Sequence, residues 1–231
     1  MIGQTHAQGV IGRGARVRRG LTVAELMVAT FITALIGGAV LSVAVAVSNS
    51  SDDGDEISQN NRIARSGVGE IADQLRNSRL VVSGDGASIA MWKDDGDDPG
   101  VINADEVTVF CYDGTRQIIT RTLVRFPVDL APSTRLALNT PLLLSDISTV
   151  PRTLEAIGNT QYLQTQIIAE NISGFKLRYD AAPPLCRSVG VTMTVGQSPT
   201  GVSLDTTATL RSNPADWVQD VSGVWVIMSP L

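Results

Sequence analysis

The sequence predicts an α+β fold, in which one long N-terminal spine helix packs on an antiparallel β-sheet head. Three observations carry this. The run from Leu26 to Val47 contains no charged residue. Beyond it, Ile57, Ala64, Val68, Ile71 and Leu75 recur at steps of seven, four, three and four, which is one face of a helix. From Leu80 onward, short apolar runs alternate with clusters of Gly, Pro, Asn and Asp, the pattern of strands and turns. The 231 residues suit one domain plus an anchor, and 43% hydrophobic residues supply a core. No repeat suggests a second domain.

The chain divides by composition into residues 1–20, 21–47, 48–79 and 80–231. The first segment carries Arg13, Arg16, Arg18 and Arg19 and no acid. The second is apolar from Leu26 to Val47, and as a helix it would extend ~33 Å at ~1.5 Å per residue. That spans a hydrocarbon core of ~30 Å, and the positive-inside rule keeps the arginines cytoplasmic. Glu25 stands at the start of this run, five residues after Gly20. A carboxylate in a membrane helix is costly, needs a partner and marks a functional position.

A basic leader, a glycine, a glutamate five residues later and then an uncharged helix: this arrangement resembles the class III signal of type IV prepilins and type II secretion pseudopilins. The resemblance implies a pilin-like fold and a set of processing events. A prepilin peptidase would cut after Gly20 and methylate the new amino terminus at Leu21. Glu25 would pair with the terminal amine of a neighbouring subunit and set register during assembly. The chain departs from the family at Leu21, where Phe or Met is common. The resemblance further implies a non-enzymatic minor subunit of a pilus or pseudopilus. Such a subunit is held as a single-pass protein of the inner membrane with its head extracytoplasmic, then built into a filament with other pilin or pseudopilin subunits.

Other readings of the N-terminus stand beside this one. Ala44-Val45-Ala46 fits a secretory cleavage site, but the apolar run exceeds the usual ~7–15 residues. Arg18-Arg19 fits a twin-arginine signal, against which Glu25 weighs. A plain anchor would make the protein a single-pass extracytoplasmic binding module outside any filament. Gly37-Gly38 reads either as a close-packing site for small residues or as a weak point in the helix.

Removing the four leader arginines from 18 basic residues leaves 14 against 23 acidic ones, a net charge near −9. An exported acidic head argues against a nucleic-acid partner. The single histidine, His6, lies in the leader. The remainder therefore has no Ser-His-Asp or Cys-His set and no histidine zinc site. Phosphate-loop and dinucleotide fingerprints are absent, and no catalytic residues are assigned.

After Val47 the polar stretch SNSSDDGDE is either a break or a solvated continuation of the helix. The amphipathic segment Glu56 to Arg79 follows, with Gly67 and Gly69 as local weak points. Expected strands are Leu80–Val82, Ser88–Trp92, Glu106–Tyr112, Arg116–Val124, Gln164–Ala169, Gly174–Tyr179, Ser188–Val195, Val202–Leu210 and Val221–Met228. Asp113-Gly114 closes a hairpin, and Phe126 to Gln161 reads as an irregular insertion. The order of these elements, with AENISGFKLRYD and TLRSN, is similar to that of larger minor pilins and the J-type pseudopilin.

Two further features of the head leave alternatives open. Cys111 and Cys186 are the only cysteines, and export permits a disulfide between them. The other reading is two free thiols acting as small hydrophobes. In the acidic stretch DDGDDPGVINADE, a twelve-residue calcium loop starting at Asp95 places Asp97 third, Gly100 sixth, Asn103 ninth and Glu106 twelfth. Pro99 supplies no oxygen at the fifth position, and the flanks read as strands. The alternative is a solvated acidic turn. No cofactor other than such a calcium ion is expected.

Overall fold

In the computed structural model, helix α1 runs from Val23–Asn77, 55 residues without a break. The structure describes residues 21–93, 101–139, 141–142, 144, 162–222 and 224–228. The chain divides into two compact units, Met1–Ser51 and Asp52–Leu231. The polar stretch 48–56 is a solvated continuation of the helix, exposed throughout. Within the second unit α1 buries Asn60, Ala64, Gly67, Val68, Ile71, Ala72 and Leu75. Ile57 shares their spacing but stays 40% exposed, because burial begins only at Asn60. Gly67 is a packing position: a Cβ there would come within 3.1 Å of both Met193 Cε and the Ala169 Cβ.

Among the described residues twelve strands follow: β1 (Leu80–Gly84), β2 (Ser88–Trp92), β3 (Ile102–Asn103), β4 (Val107–Asp113), β5 (Ile118–Val124), β6 (Pro141–Leu142), β7 (Leu163–Ala169), β8 (Ile172–Tyr179), β9 (Ser188–Val195), β10 (Val202–Thr209), β11 (Val218–Val221) and β12 (Val224–Ile227). A five-stranded antiparallel sheet has the order β1-β2-β4-β5-β7, and a three-stranded sheet the order β10-β9-β8. Two short pairs, β3-β6 and β11-β12, are also present among the described residues. The run expected as one strand over Val221–Met228 holds the last residue of β11, a turn and β12, so that β12 pairs with a strand, β11, that was not expected. Ser222, at φ 59°, turns the chain there, and Ser-Gly at 222–223 is a turn signal in the sequence. The insertion after Phe126 contains helix α2 (Pro132–Leu138) and β6; its stretch 145–161 lies outside the described residues.

Side-chain alternation along the strands gives the large sheet two apolar faces. Val81, Ile89, Met91, Phe110 and Ile119 meet α1 and the inner face of the small sheet, including Val189, Val191 and Met193. Leu80, Val82, Ala90, Trp92, Val107 and Val109 form a second core, against which Phe126, Tyr162, Trp217, Trp225 and Ile227 pack. Trp92 and Trp217 meet edge-on with ring centroids 5.6 Å apart. A sheet covered on both sides explains why β1 and β2 read as continuous apolar runs.

The same alternation keeps the cysteines apart. Phe110 and Tyr112 point to the first core, so Cys111 between them points to the other face of the sheet, that of Val109. Cys186 is buried in the first core. Both are free thiols, and the Cys111–Cys186 bridge considered from sequence does not form. Burial, followed by the nearby Asp180 charge, pushes the Cys186 thiol up to about 12.

Candidate functional site

The apolar part of α1 is the chain's most unusual surface. Leu21, Val23, Leu26, Met27, Phe31, Leu35, Ile36, Val40, Leu41 and Val47 are all more than half exposed. A contiguous surface of this kind belongs in a membrane or against other proteins, not in water. The helix is long and apolar enough to cross a membrane. Its polar side chains fit that solvent. The Thr30 hydroxyl donates to Leu26 O at 3.0 Å and Met27 O at 2.9 Å. Thr33 donates to Ala29 O at 2.8 Å and Ser42 to Ala39 O at 2.8 Å. Hydroxyls satisfied inside the helix carry little penalty in hydrocarbon. Cβ atoms added at Gly37 and Gly38 would meet nothing within 4 Å in this isolated chain.

Glu25 sits in the first turn and has a partner on its own helix. Its Oε2 accepts from the Thr22 amide at 2.9 Å and the Thr22 hydroxyl at 3.0 Å. The Glu25 amide in turn donates to Thr22 Oγ1 at 3.3 Å. Thr at the N-cap and Glu three residues on form a reciprocal capping box. The spacing Thr22-x-x-Glu25 is this signature in the sequence itself, a local signal additional to the Gly20–Glu25 spacing. Glu25 Oε1 accepts no hydrogen bond among the described residues. The helix N-terminus is therefore held by one carboxylate oxygen, while the other can take a cationic donor. Leu21, 72% exposed, immediately precedes the cap. Gly20 and the leader lie outside the described residues.

Of the calcium set, Asp95 and Asp97 also lie outside the described residues. Asn103 is the N-cap and Glu106 the last residue of a single 3-10 turn, Ala104–Glu106. Glu106 Oε2 accepts from the Asn103 amide at 3.0 Å and from the Trp92 indole at 3.1 Å. Asp105 pairs with Arg135 at 2.8 Å, and its amide donates to Asn139 Oδ1 at 3.2 Å. These groups tie the insertion to the second core. Among the described residues, no group of three or more His, Cys, Asp or Glu is placed to hold a metal.

The fold and this surface define a class: an α+β protein with a β-sheet head and one apolar N-terminal helix able to span a bilayer. No protein-family model matches the chain, and no curated protein sequence matches it significantly.

Proposed function

We propose that the protein is a non-enzymatic minor subunit of a type IV pilus or type II secretion pseudopilus. In this reading the prepilin peptidase cleaves after Gly20 and methylates Leu21, and the apolar helix moves from the inner membrane into a filament core beside other pilin or pseudopilin subunits. The observation that carries it is the spacing of Gly20 and Glu25 ahead of an uncharged helix. The exposed apolar helix and the open Glu25 Oε1 support it: side-by-side helices would cover the first, and a neighbour's terminal amine would meet the second. Mass spectrometry of the N-terminus tests it. A mature chain beginning with methylated Leu21 is expected; an intact Met1, or a start at Val47, would overturn it.

A second reading is kept because of the capping box. Glu25 is already partnered by Thr22, so it has a role in a plain anchor that carries an extracytoplasmic binding module. In that case Gly20 would remain uncut and the charge on Glu25 would be dispensable.

A further inference from the structure

A cleft of about 400 Å³ beside β4 and β5 is lined by Lys93, Arg121, Arg125 and Arg135, with Asp105 and Phe126 on its wall. Its positive sign opposes that of a chain with net charge −5. Two of the cations are anchored. Arg135 pairs with Asp105 at 2.8 Å. Arg121 pairs with Glu70 and donates through Nη2 to Gln166 Oε1 at 2.7 Å. The other two are not: among the described residues, Lys93 and Arg125 make no side-chain hydrogen bond or ion pair. Arg121 Nε is buried without a hydrogen-bond partner. A concave site lined by four cations focuses a positive field.

The complementary charge lies on α1. Asp52, Asp53, Asp55 and Glu56 are exposed, and none has a side-chain partner among the described residues. Their helical spacings include i,i+3 and i,i+4, at which like charges destabilise a helix. They cannot reach the cleft of their own chain. Gln74, the α1 residue on the cleft wall, lies 18 residues beyond Glu56, which is ~27 Å along the helix at ~1.5 Å per residue. That distance is about three Debye lengths at physiological salt.

We propose that this cleft is the docking site for the acidic run 52–56 of a second copy of the chain. The two patches are different surfaces, so the contact is heterologous and repeats from copy to copy without being used up, as a filament requires. Parallel copies joined this way are staggered by ~27 Å along α1, the helix spacing of the two patches. The proposal rests on the assembly reading only for the setting that brings copies side by side.

The test uses the full chain in detergent and a labelled peptide of residues 48–58, followed by fluorescence anisotropy. Saturable binding is expected, weakening as salt rises from ~0.01 M to ~1 M. The K93E/R125E chain should bind about tenfold more weakly. The peptide with Asp→Asn and Glu→Gln changes should not bind. A peptide carrying Asp52→Lys, Asp53→Lys and Glu56→Lys should bind the K93E/R125E chain, which also shows that this variant is folded. The proposal is overturned by no binding up to about 1 mM, by equal binding to the wild-type and K93E/R125E chains, or by equal binding of an oligonucleotide of the same charge. It is also overturned if the peptide binds only after Asp94, Asp95, Asp97 and Asp98 are changed to Asn, since the chain's own acidic segment would then be the occupant. Neither outcome depends on cleavage at Gly20, so each reading can fail alone.

Discussion

Gly84 and Tyr179 are locked together at the point where the two sheets meet. The Tyr179 hydroxyl donates towards Asp85 O at 3.0 Å and Ser88 O at 3.2 Å. A Cβ at Gly84 would overlap that hydroxyl oxygen and stand 2.8 Å from Cζ. Glycine at the end of β1 thus lets a tyrosine from the end of β8 clamp the β1-β2 turn. Gly84→Ala should cost about 1–3 kcal/mol, as overpacking does, and Tyr179→Phe about 1 kcal/mol for the lost hydrogen bonds. Chemical denaturation of both single variants and the double variant checks this. Their effects should fall short of additivity, because a displaced tyrosine has no hydrogen bond left to lose.

The two roles open to Glu25 separate by substitution. Glu25→Ala removes both the cap and the charge. Glu25→Gln keeps an oxygen for the Thr22 amide, since glutamine also serves in a capping box, but carries no charge. If Glu25 acts in assembly through its charge, both variants are cleaved normally and both are depleted from sheared filaments. Incorporation of Glu25→Gln at wild-type level would leave only the capping role.

The thiols carry a pH signature. With the Cys186 thiol pushed up to about 12 by burial, the folded chain keeps a proton that the unfolded chain releases near the ordinary thiol value of ~8.5. Above that value the unfolded state binds fewer protons, so stability falls as pH rises. The loss approaches ~1.4 kcal/mol per pH unit until the folded value is reached. Burial also raises the Tyr179 hydroxyl, which adds to the fall at higher pH. Denaturation midpoints between pH 8 and pH 11 should therefore decline, and less steeply in Cys186→Ala. Two thiols should react with alkylating reagent in the denatured, unreduced protein, with Cys186 protected in the folded one.

Glu106 tests the acidic loop. Its carboxylate accepts from the Trp92 indole and the Asn103 amide, so Glu106→Ala should destabilise the head by about 1–3 kcal/mol through the donors left unpaired. That loss should be the same in millimolar calcium and in chelator. The calcium reading makes a different demand: calcium must raise the wild-type melting temperature, and Asp97→Ala must abolish the rise. Identical wild-type melting curves in the two conditions would leave the stretch as a turn.

Asp85 offers a check at acid pH. Burial opposes its charge, yet the amides of Ala87 and Ser88, donating at 2.7 and 2.6 Å, hold its carboxyl below the usual range. A carboxylate depressed in the fold contributes stability at neutral pH that is lost as pH falls through its folded value. Asp85→Asn should therefore flatten the acid limb of the stability profile measured by denaturation between pH 2 and pH 7.

Most of the head's strands were legible because their cause is local: β-branched and apolar runs between turn residues specify strands wherever the chain goes. The uncharged stretch ahead of Val47 and the amphipathic spacing beyond Ala64 were equally local, since helical period is written in neighbouring residues. The Thr22–Glu25 box and the Ser-Gly turn between β11 and β12 are equally local signals. Other features had no sequence signal at all. Whether Cys111 meets Cys186 depends on which face of a five-stranded sheet each thiol takes, and that follows from register across strands distant in sequence. Gly67 reads from sequence as a weak point in a helix, whereas in the fold Met193 packs against it. The gathering of Lys93, Arg121, Arg125 and Arg135 around one cleft joins residues from β5 and α2 and from beside β2. The elements and the apolar helix are written in the local sequence, because they arise from residues a few positions apart. Which side chains meet is settled by the fold, because contact across strands follows from the pairing of distant segments.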